Sequence, residues 1–141
     1  MKTVEEIRSQ VKGAFSEKPR ARFRPCAYFD DRLDCIRVIA RDCSILDTRI
    51  NPTLTVLEDN YYRESGKKQY VGFTLKGARH FCRERNIDLS APIDISLLLD
   101  AILAAFPGLA VEFFVNGIAK PLVQEEKINK VDVSGAVPQP A

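Results

Sequence analysis

The stretch DCIRVIARDCS, residues 34–44, is the longest alternating segment of the chain and decides its fold class. One set of alternate positions carries Ile36, Val38, Ala40 and Asp42, and the other carries Cys35, Arg37, Ile39, Arg41 and Cys43. Because successive side chains of a strand point to opposite faces, we expect the first set to meet the core and the second to be partly wet. The stretch therefore predicts a β-strand with one face on the core.

Shorter β-rich segments lie on both sides of this strand. Residues 26–29 form an apolar run, and residues 30–33 have the polar composition of a turn. Further along the chain, residues 45–50, 54–58 and 69–75 are rich in β-branched and aromatic side chains. The turn signal Asn51-Pro52 and a polar loop over residues 60–68 separate them. These segments together predict a sheet of several strands.

Helical periodicity flanks the β region. Residues 4–17 carry apolar positions at helical spacing, which predicts an amphipathic N-terminal helix. A second helix is predicted from Thr74 or Leu75 to about Arg85, with Asn86 as its left-handed cap. A third helix, residues 95–106, follows Asp94 as N-cap and is apolar on nearly every side. A helix of that kind is expected to be buried, in the core or at an interface.

The dipeptide Asn116-Gly117 lies between two apolar runs, residues 110–115 and 118–123. This pattern predicts a C-terminal β-hairpin with a type I′ turn. Strands followed by clustered helices predict one α+β domain over residues 1–133, with a mainly antiparallel sheet and two helices packed on it. The small, proline-bearing residues 134–141 predict a flexible tail.

Composition bounds the class of protein. The chain has 141 residues, of which 45% are hydrophobic and 28% charged, as in a globular domain that needs no metal or disulfide to hold its core. Asp100 interrupts the longest apolar run, and that run is shorter than the about 20 residues that span a bilayer. The first ten residues are charged where a signal peptide is apolar. We therefore expect a cytoplasmic protein without a membrane partner.

The residues that usually bind metals or act as nucleophiles are sparse. The four cysteines, Cys26, Cys35, Cys43 and Cys82, form no CxxC pair, and His80 is the single histidine, so we expect free thiols and no metal site. Positions 80 and 82 of a helix do not face each other, which excludes a local Cys–His dyad. The segment 72–77 lacks the Lys-Ser/Thr that completes a phosphate loop. We expect no cofactor and favour a protein that is not an enzyme.

Acidic side chains in turns supply the enzymatic alternative. The carboxylates concerned are Asp30, Asp31, Asp34, Glu58 and Asp59. Hydrolases and nucleases use such groups around Mg²⁺, which makes a small hydrolase with Arg37 or Arg41 one hypothesis. Asp is also common in turns because its side chain bonds the backbone, and the spacing fits no EF-hand loop. The turn role is the favoured interpretation.

Basic side chains form the best candidate site. Net positive charge is concentrated in residues 1–25 and 63–86, and net negative charge in residues 26–62 and 87–141. The candidate anion-binding residues are Lys76, Arg79, His80 and Arg83, spaced three and four apart along the second helix, with Arg22 and Arg24 in the connector. Such a stripe binds polyanions in some proteins and is only the solvated face of a helix in many others.

These patterns lead to a functional hypothesis and two alternatives. We expect a small non-enzymatic binding or regulatory protein that acts on another macromolecule, as a homodimer. Its partner is a protein or a polyanion, with nucleic acid less favoured because the net charge is only +2. The alternatives are the small hydrolase or nuclease above and a small-ligand carrier lined by the apolar third helix.

Overall fold

A five-stranded antiparallel sheet organises the protein, whose computed structural model describes residues 23–66 and 68–133. The strands are β1 (Cys26–Asp30), β2 (Cys35–Ile39), β3 (Ile45–Arg49), β4 (Leu54–Asp59) and β5 (Tyr70–Lys76). Their order in the sheet is β1-β2-β5-β4-β3, so β2 to β5 form a Greek key. A 3₁₀-helix, Asn60–Ser65, stands where a loop was predicted between β4 and β5.

Helices follow the sheet in the chain. They are α1 (Ala78–Glu84), α2 (Ile95–Ala105) and a helical segment built from α3 (Leu109–Glu112), a π-helix (Phe113–Ala119) and α4 (Lys120–Glu125). Two short strands, β6 (Ile93–Asp94) and β7 (Lys130–Val131), pair with each other. The α+β class is thus confirmed, while the predicted N-terminal helix and the tail 134–141 lie outside the described residues. No helix in the described ranges has the length and apolar character to cross a membrane.

The stretch that decides the fold class forms β2. Ile36 and Val38 are fully buried, as the alternation predicted. Ile36 is the ladder partner of Phe29 and Leu75, and Val38 of Ala27 and Phe73, so one apolar row continues across neighbouring strands. The strand ends at Ile39, sooner than the sequence suggested, with the backbone N–H of Ala40 donating to the Val71 carbonyl at 2.8 Å.

The helices cover this apolar face. The rings of Phe73 in β5 and Phe114 in the π-helix meet edge to face at 5.3 Å between centroids. Within α2, Leu98, Leu99 and Ile102 are fully buried, but Leu97 is 53% exposed, so that helix keeps one open side instead of being buried all round. Its predicted N-cap is confirmed by the Asp94 carboxylate, which accepts from the Ser96 backbone N–H at 2.8 Å.

The predicted C-terminal hairpin is wrong, because residues 109–125 are helical and Asn116-Gly117 lies inside the π-helix. The buried positions of the segment recur at helical spacing: Val111, Phe114, Val115, Ile118, Ala119 and Val123. This period buries one continuous apolar stripe against the sheet and α2, which a two-residue turn cannot match. Pro121 is the second residue of α4, directly after the π-helix.

Candidate functional site

The predicted basic stripe on α1 is partly neutralised by acidic neighbours. Arg79 Nη2 lies 2.6 Å from Asp31 Oδ1, and the Arg79 guanidinium lies 4.7 Å from the centre of the Phe29 ring. His80 Nε2 lies 2.9 Å from Glu84 Oε1 one turn along the helix, with both side chains exposed. Arg79 and His80 are therefore engaged within the protein itself.

The other predicted anion-binding residues are dispersed. Arg83 is exposed and forms no ion pair within the described residues. Lys76 ends β5 opposite Cys35, away from the apolar face that α1 covers. Arg24 is exposed ahead of β1, and Arg22 lies outside the described residues. Anion binding along α1 stays a prediction, and fewer basic side chains are available for it than the sequence suggested.

The acidic residues of the turns bond mainly to backbone N–H groups. Asp30 Oδ1 accepts from the amides of Arg32 and Leu33 at 3.0 and 3.2 Å. Asp34 Oδ1 accepts from the backbone N–H of Arg79 at 3.1 Å, and Asp59 Oδ1 from that of Tyr61 at 3.0 Å. The bonds of Asp30 and Asp59 are the local ones that favour Asp in turns, whereas the bond of Asp34 joins the turn to the start of α1. Within the described ranges, no three His, Cys, Asp or Glu side chains are grouped to hold a metal ion.

A polar row crosses the second face of the sheet, opposite the apolar core. The row runs through all five strands in ladder register: Tyr28, Arg37, Thr74, Thr55 and Arg49. Since these positions alternate with core residues such as Val38 and Val56, their side chains point away from the helices. The sheet thus brings together polar groups that are far apart in the chain, since Arg37 and Thr74 are direct ladder partners although 37 positions separate them.

A pocket of about 290 Å³ opens on this face. It is lined by Asp30, Leu33, Cys35, Arg37, Asp47, Thr55, Thr74 and Lys76, and is called the Arg37 pocket below. Its volume is close to the lower end of the range of small-molecule sites, and its lining mixes apolar and polar groups as those sites do. The pocket is therefore large enough for a small ligand or for one side chain of a partner.

Two buried polar atoms of the pocket's lining residues lack partners. They are Arg37 Nε and Thr55 Oγ1, and within the described part of the chain they are the only buried side-chain nitrogen and oxygen atoms without a hydrogen bond. Thr55 is only 4% exposed. Leaving one such group unsatisfied costs about 1–3 kcal/mol, so native proteins rarely do it without a reason. Because Arg37 and Thr55 both line the Arg37 pocket, its wall contains two buried polar groups without a partner.

Charges of both signs line the Arg37 pocket. Asp30 is held by its own turn, as described above. Arg37, Lys76 and Asp47 form no ion pair with the described residues, although they line the same cavity. Arg37 and Asp47 therefore do not neutralise each other by direct contact. Both charges can therefore interact with a ligand that lies between them in the pocket.

Cys35 is the thiol of the pocket, and its environment favours the neutral form. Burial raises the pKa of the Cys35 thiol, and the nearby Asp30 charge raises it further, against the opposing effect of Arg37. Burial also raises the pKa of the Cys26, Cys43 and Cys82 thiols. Because the thiolate is the nucleophilic form, Cys35 contributes a small, weakly polar wall rather than a reactive group.

The sequence placed Arg37 on the wetter face of its strand but did not identify Asp47, Thr55 or Thr74. A hint was available, since Arg37 lies at the middle of an otherwise apolar run. Its partners come from strands whose pairing cannot be read locally. No family model, curated protein or solved structure matches this chain, so the site is interpreted from its own geometry.

Proposed function

We propose that this protein is a non-enzymatic binding protein that takes a carboxylate group into the Arg37 pocket. The observation that carries the proposal is the pair of buried, unpartnered atoms, Arg37 Nε and Thr55 Oγ1, on one cavity. A guanidinium binds a carboxylate through two parallel N–H···O bonds, and a threonine hydroxyl can donate another. One bound carboxylate would thus supply the partners that the protein lacks.

The charge of the pocket favours a carboxylate over a phosphate. Asp30 and Asp47 line the cavity together with Arg37 and Lys76, so the lining has no net charge. The two carboxylates would repel a phosphate dianion more strongly than they would repel a carboxylate ligand with a single negative charge. Planar carboxylate geometry also matches the fork of the Arg37 guanidinium.

The absence of an activated nucleophile near the pocket supports binding over catalysis. Burial keeps the pKa of the Cys35 thiol raised, and no base is bonded to it within the described residues. His80, the one histidine of the chain, is engaged with Glu84 on α1. Covalent catalysis requires a nucleophile beside a base or with a lowered pKa, and Cys35 has neither.

Binding is tested by thermal shift and calorimetry with three probes: butyrate, a short peptide whose only carboxylate is its C-terminus, and inorganic phosphate. We expect at least one carboxylate probe to raise the Tm while phosphate does not, and the two carboxylates separate a free ligand from a protein partner. Arg37→Gln should abolish the response. Arg49→Gln is the matched control, because Arg49 lies in the same polar row but outside the pocket lining. An unchanged response in Arg37→Gln, or none to any carboxylate, would overturn the proposal.

A second test uses stability without any ligand. Thr55→Val keeps the shape of a buried side chain and removes a hydroxyl that has no partner, so we expect the variant to be at least as stable as the parent. Thr48→Val is the control, because the Thr48 hydroxyl donates to Glu58 Oε1 at 3.3 Å. Clear destabilisation by Thr55→Val alone would mean that its hydroxyl is satisfied in the free protein.

The homodimer stays a prediction. Leu109 is 85% exposed and Phe113 is 64% exposed, and they lie four positions apart on the helical segment that follows α2. We propose this apolar pair as the contact between two copies. Light scattering that gives only the 15.9 kDa monomer at micromolar concentration would contradict it.

A further inference from the structure

We infer that the ligand of the Arg37 pocket is a zwitterion, with its carboxylate at Arg37 and a cationic group at Asp47, separated by several bonds. This inference rests on the proposed function, since it assumes that Arg37 receives a carboxylate. The cationic group is the second half of the ligand, and Asp47 is the residue that would select for it.

The two charges line one cavity from strands that are not neighbours in the sheet. Arg37 belongs to β2 and Asp47 to β3, with β5 and β4 between them. Neighbouring strands lie about 4.8 Å apart, and Asp47 lies two positions along from the ladder row of Arg37, so the two backbone positions are separated by roughly 16 Å. An extended arginine side chain can span part of this distance, which would leave a gap of about one to two strand widths between the charged groups. A ligand that touches both must hold its charges apart.

The floor between the two charges is polar. Thr74 and Thr55, on the two intervening strands, line the same pocket and are direct ladder partners. Their hydroxyls can bond the carboxylate or a polar linker, while Cys35 and Leu33 provide the less polar part of the wall. A short chain with a charge at each end therefore fits both the spacing and the lining.

Asp47 gives the sign of the second charge. It forms no ion pair with the described residues, so a simple monocarboxylate at Arg37 would meet an uncompensated negative charge in the same cavity. An ammonium or guanidinium group on the ligand would convert this repulsion into attraction. Lys76 is exposed, and Asp30 lies in the same ladder row, on the other side of Cys35. The negative charge of Asp30 therefore opposes the positive charge of Lys76.

The test compares four probes of one length: ε-aminocaproate, caproate, hexylamine and adipate, each titrated calorimetrically into the full chain. We expect ε-aminocaproate to bind at least tenfold more tightly than caproate, and hexylamine to bind most weakly. Asp47→Asn should remove this preference by weakening ε-aminocaproate alone. Arg37→Gln should remove binding of all three probes that carry a carboxylate. Asp42→Asn is the control, since Asp42 is exposed and lies outside the pocket lining.

The outcomes separate the two proposals. If caproate binds through Arg37 as tightly as ε-aminocaproate, or Asp47→Asn changes nothing, the zwitterion is wrong and the carboxylate site stands. If adipate binds most tightly, the second charge of the ligand is negative and Lys76 is its partner, which also overturns the inference. If none of the three carboxylate probes binds, the proposed function fails together with the inference. Circular dichroism of Asp47→Asn confirms that the exposed substitution leaves the fold intact.

Discussion

Arg79 in α1 and Asp31 in the turn between β1 and β2 lie 48 positions apart in the chain and 2.6 Å apart in space, measured from Nη2 to Oδ1. The backbone N–H of Arg79 also donates to Asp34 in the same turn. One residue therefore attaches the start of α1 to the first hairpin of the sheet. The same contact withdraws Arg79 from the anion-binding stripe that the helical spacing predicted.

Reversing the charge of Arg79 should cost stability, and reversing that of Arg83 should not. Arg79→Glu places a carboxylate beside Asp31, so we expect a loss of about 1 kcal/mol in the free energy of unfolding, the upper range for a partly exposed pair. Arg83→Glu should change it by less than about 0.5 kcal/mol, as is usual for a surface position. Urea denaturation measures both. Equal effects would show that the ion pair contributes nothing and that both arginines are free for a partner.

Gly72 and Gly117 should respond in opposite ways to alanine. A Cβ at Gly72 would lie 1.9 Å from the Val38 carbonyl oxygen in the neighbouring strand, so Gly72→Ala forces the central strands apart and should cost about 3 kcal/mol or more. A Cβ at Gly117 would meet only the Phe113 ring at 3.6 Å, an ordinary contact, and alanine favours helix by up to about 1 kcal/mol. We expect thermal melts to show a large fall in Tm for the first variant and a small rise for the second. A stable Gly72→Ala protein would mean that β2 and β5 are not packed as described.

The two sides of α2 should differ in their tolerance of charge. Leu98 is fully buried, and Leu98→Asp should unfold the domain, since an unpaired charge in an apolar site costs several kcal/mol. Leu97→Asp is the matched control at the next position, where the side chain is 53% exposed, and should melt near the parent. Ile102→Asp should repeat the effect of Leu98→Asp. Similar melting of Leu97→Asp and Leu98→Asp would contradict the observed orientation of the helix.

Alkaline pH should destabilise the fold through its buried thiols. Burial raises the pKa of the Cys82 thiol in the native state above its ordinary value of 9.0. The neutral Cys82 thiol therefore contributes its full share to the free energy of unfolding below the pKa of the unfolded state. That share is lost as the pH rises through the pKa of the native state. We expect the free energy of unfolding, measured with urea, to fall as pH increases beyond about 9. Cys82→Ala should be less stable at neutral pH but lose less on alkalinisation. A parallel decline in both proteins would assign the effect to other groups.

Local signals predicted the elements whose determinants lie close together in the chain. The alternation around Ile36 and Val38 correctly predicted β2 and the face of it that meets the core, and Asp94 correctly predicted the start of α2. Asn86 takes the left-handed conformation expected of a helix cap, with φ of 55°. Each of these depends on the backbone preferences of a few consecutive residues.

The failures have physical causes of two kinds. Asn116-Gly117 carries a strong turn preference, but the apolar spacing from Val111 to Val123 buries a helical stripe, and tertiary burial outweighs the local preference. The Arg37 pocket, in contrast, depends on β2, β3, β4 and β5 meeting in one register. Residues 35–39 and 72–76 pair across a long stretch of chain, and no property of Arg37 indicates which threonines will lie beside it.

The position of β5 in the sheet has a consequence for the order of folding. The β1–β2 and β3–β4 hairpins can each form from neighbouring residues. However, β2 and β4 do not pair with each other and are joined only by β5, the last of the five strands along the chain. The entropy of closing the chain between β2 and β5 must therefore be lost before the sheet gains its central contacts, which slows folding relative to a simple meander. Until residues 70–76 leave the ribosome, the inner edges of β2 and β4 have no strand to pair with, and the Arg37 pocket, which Thr74 and Lys76 help to line, cannot form.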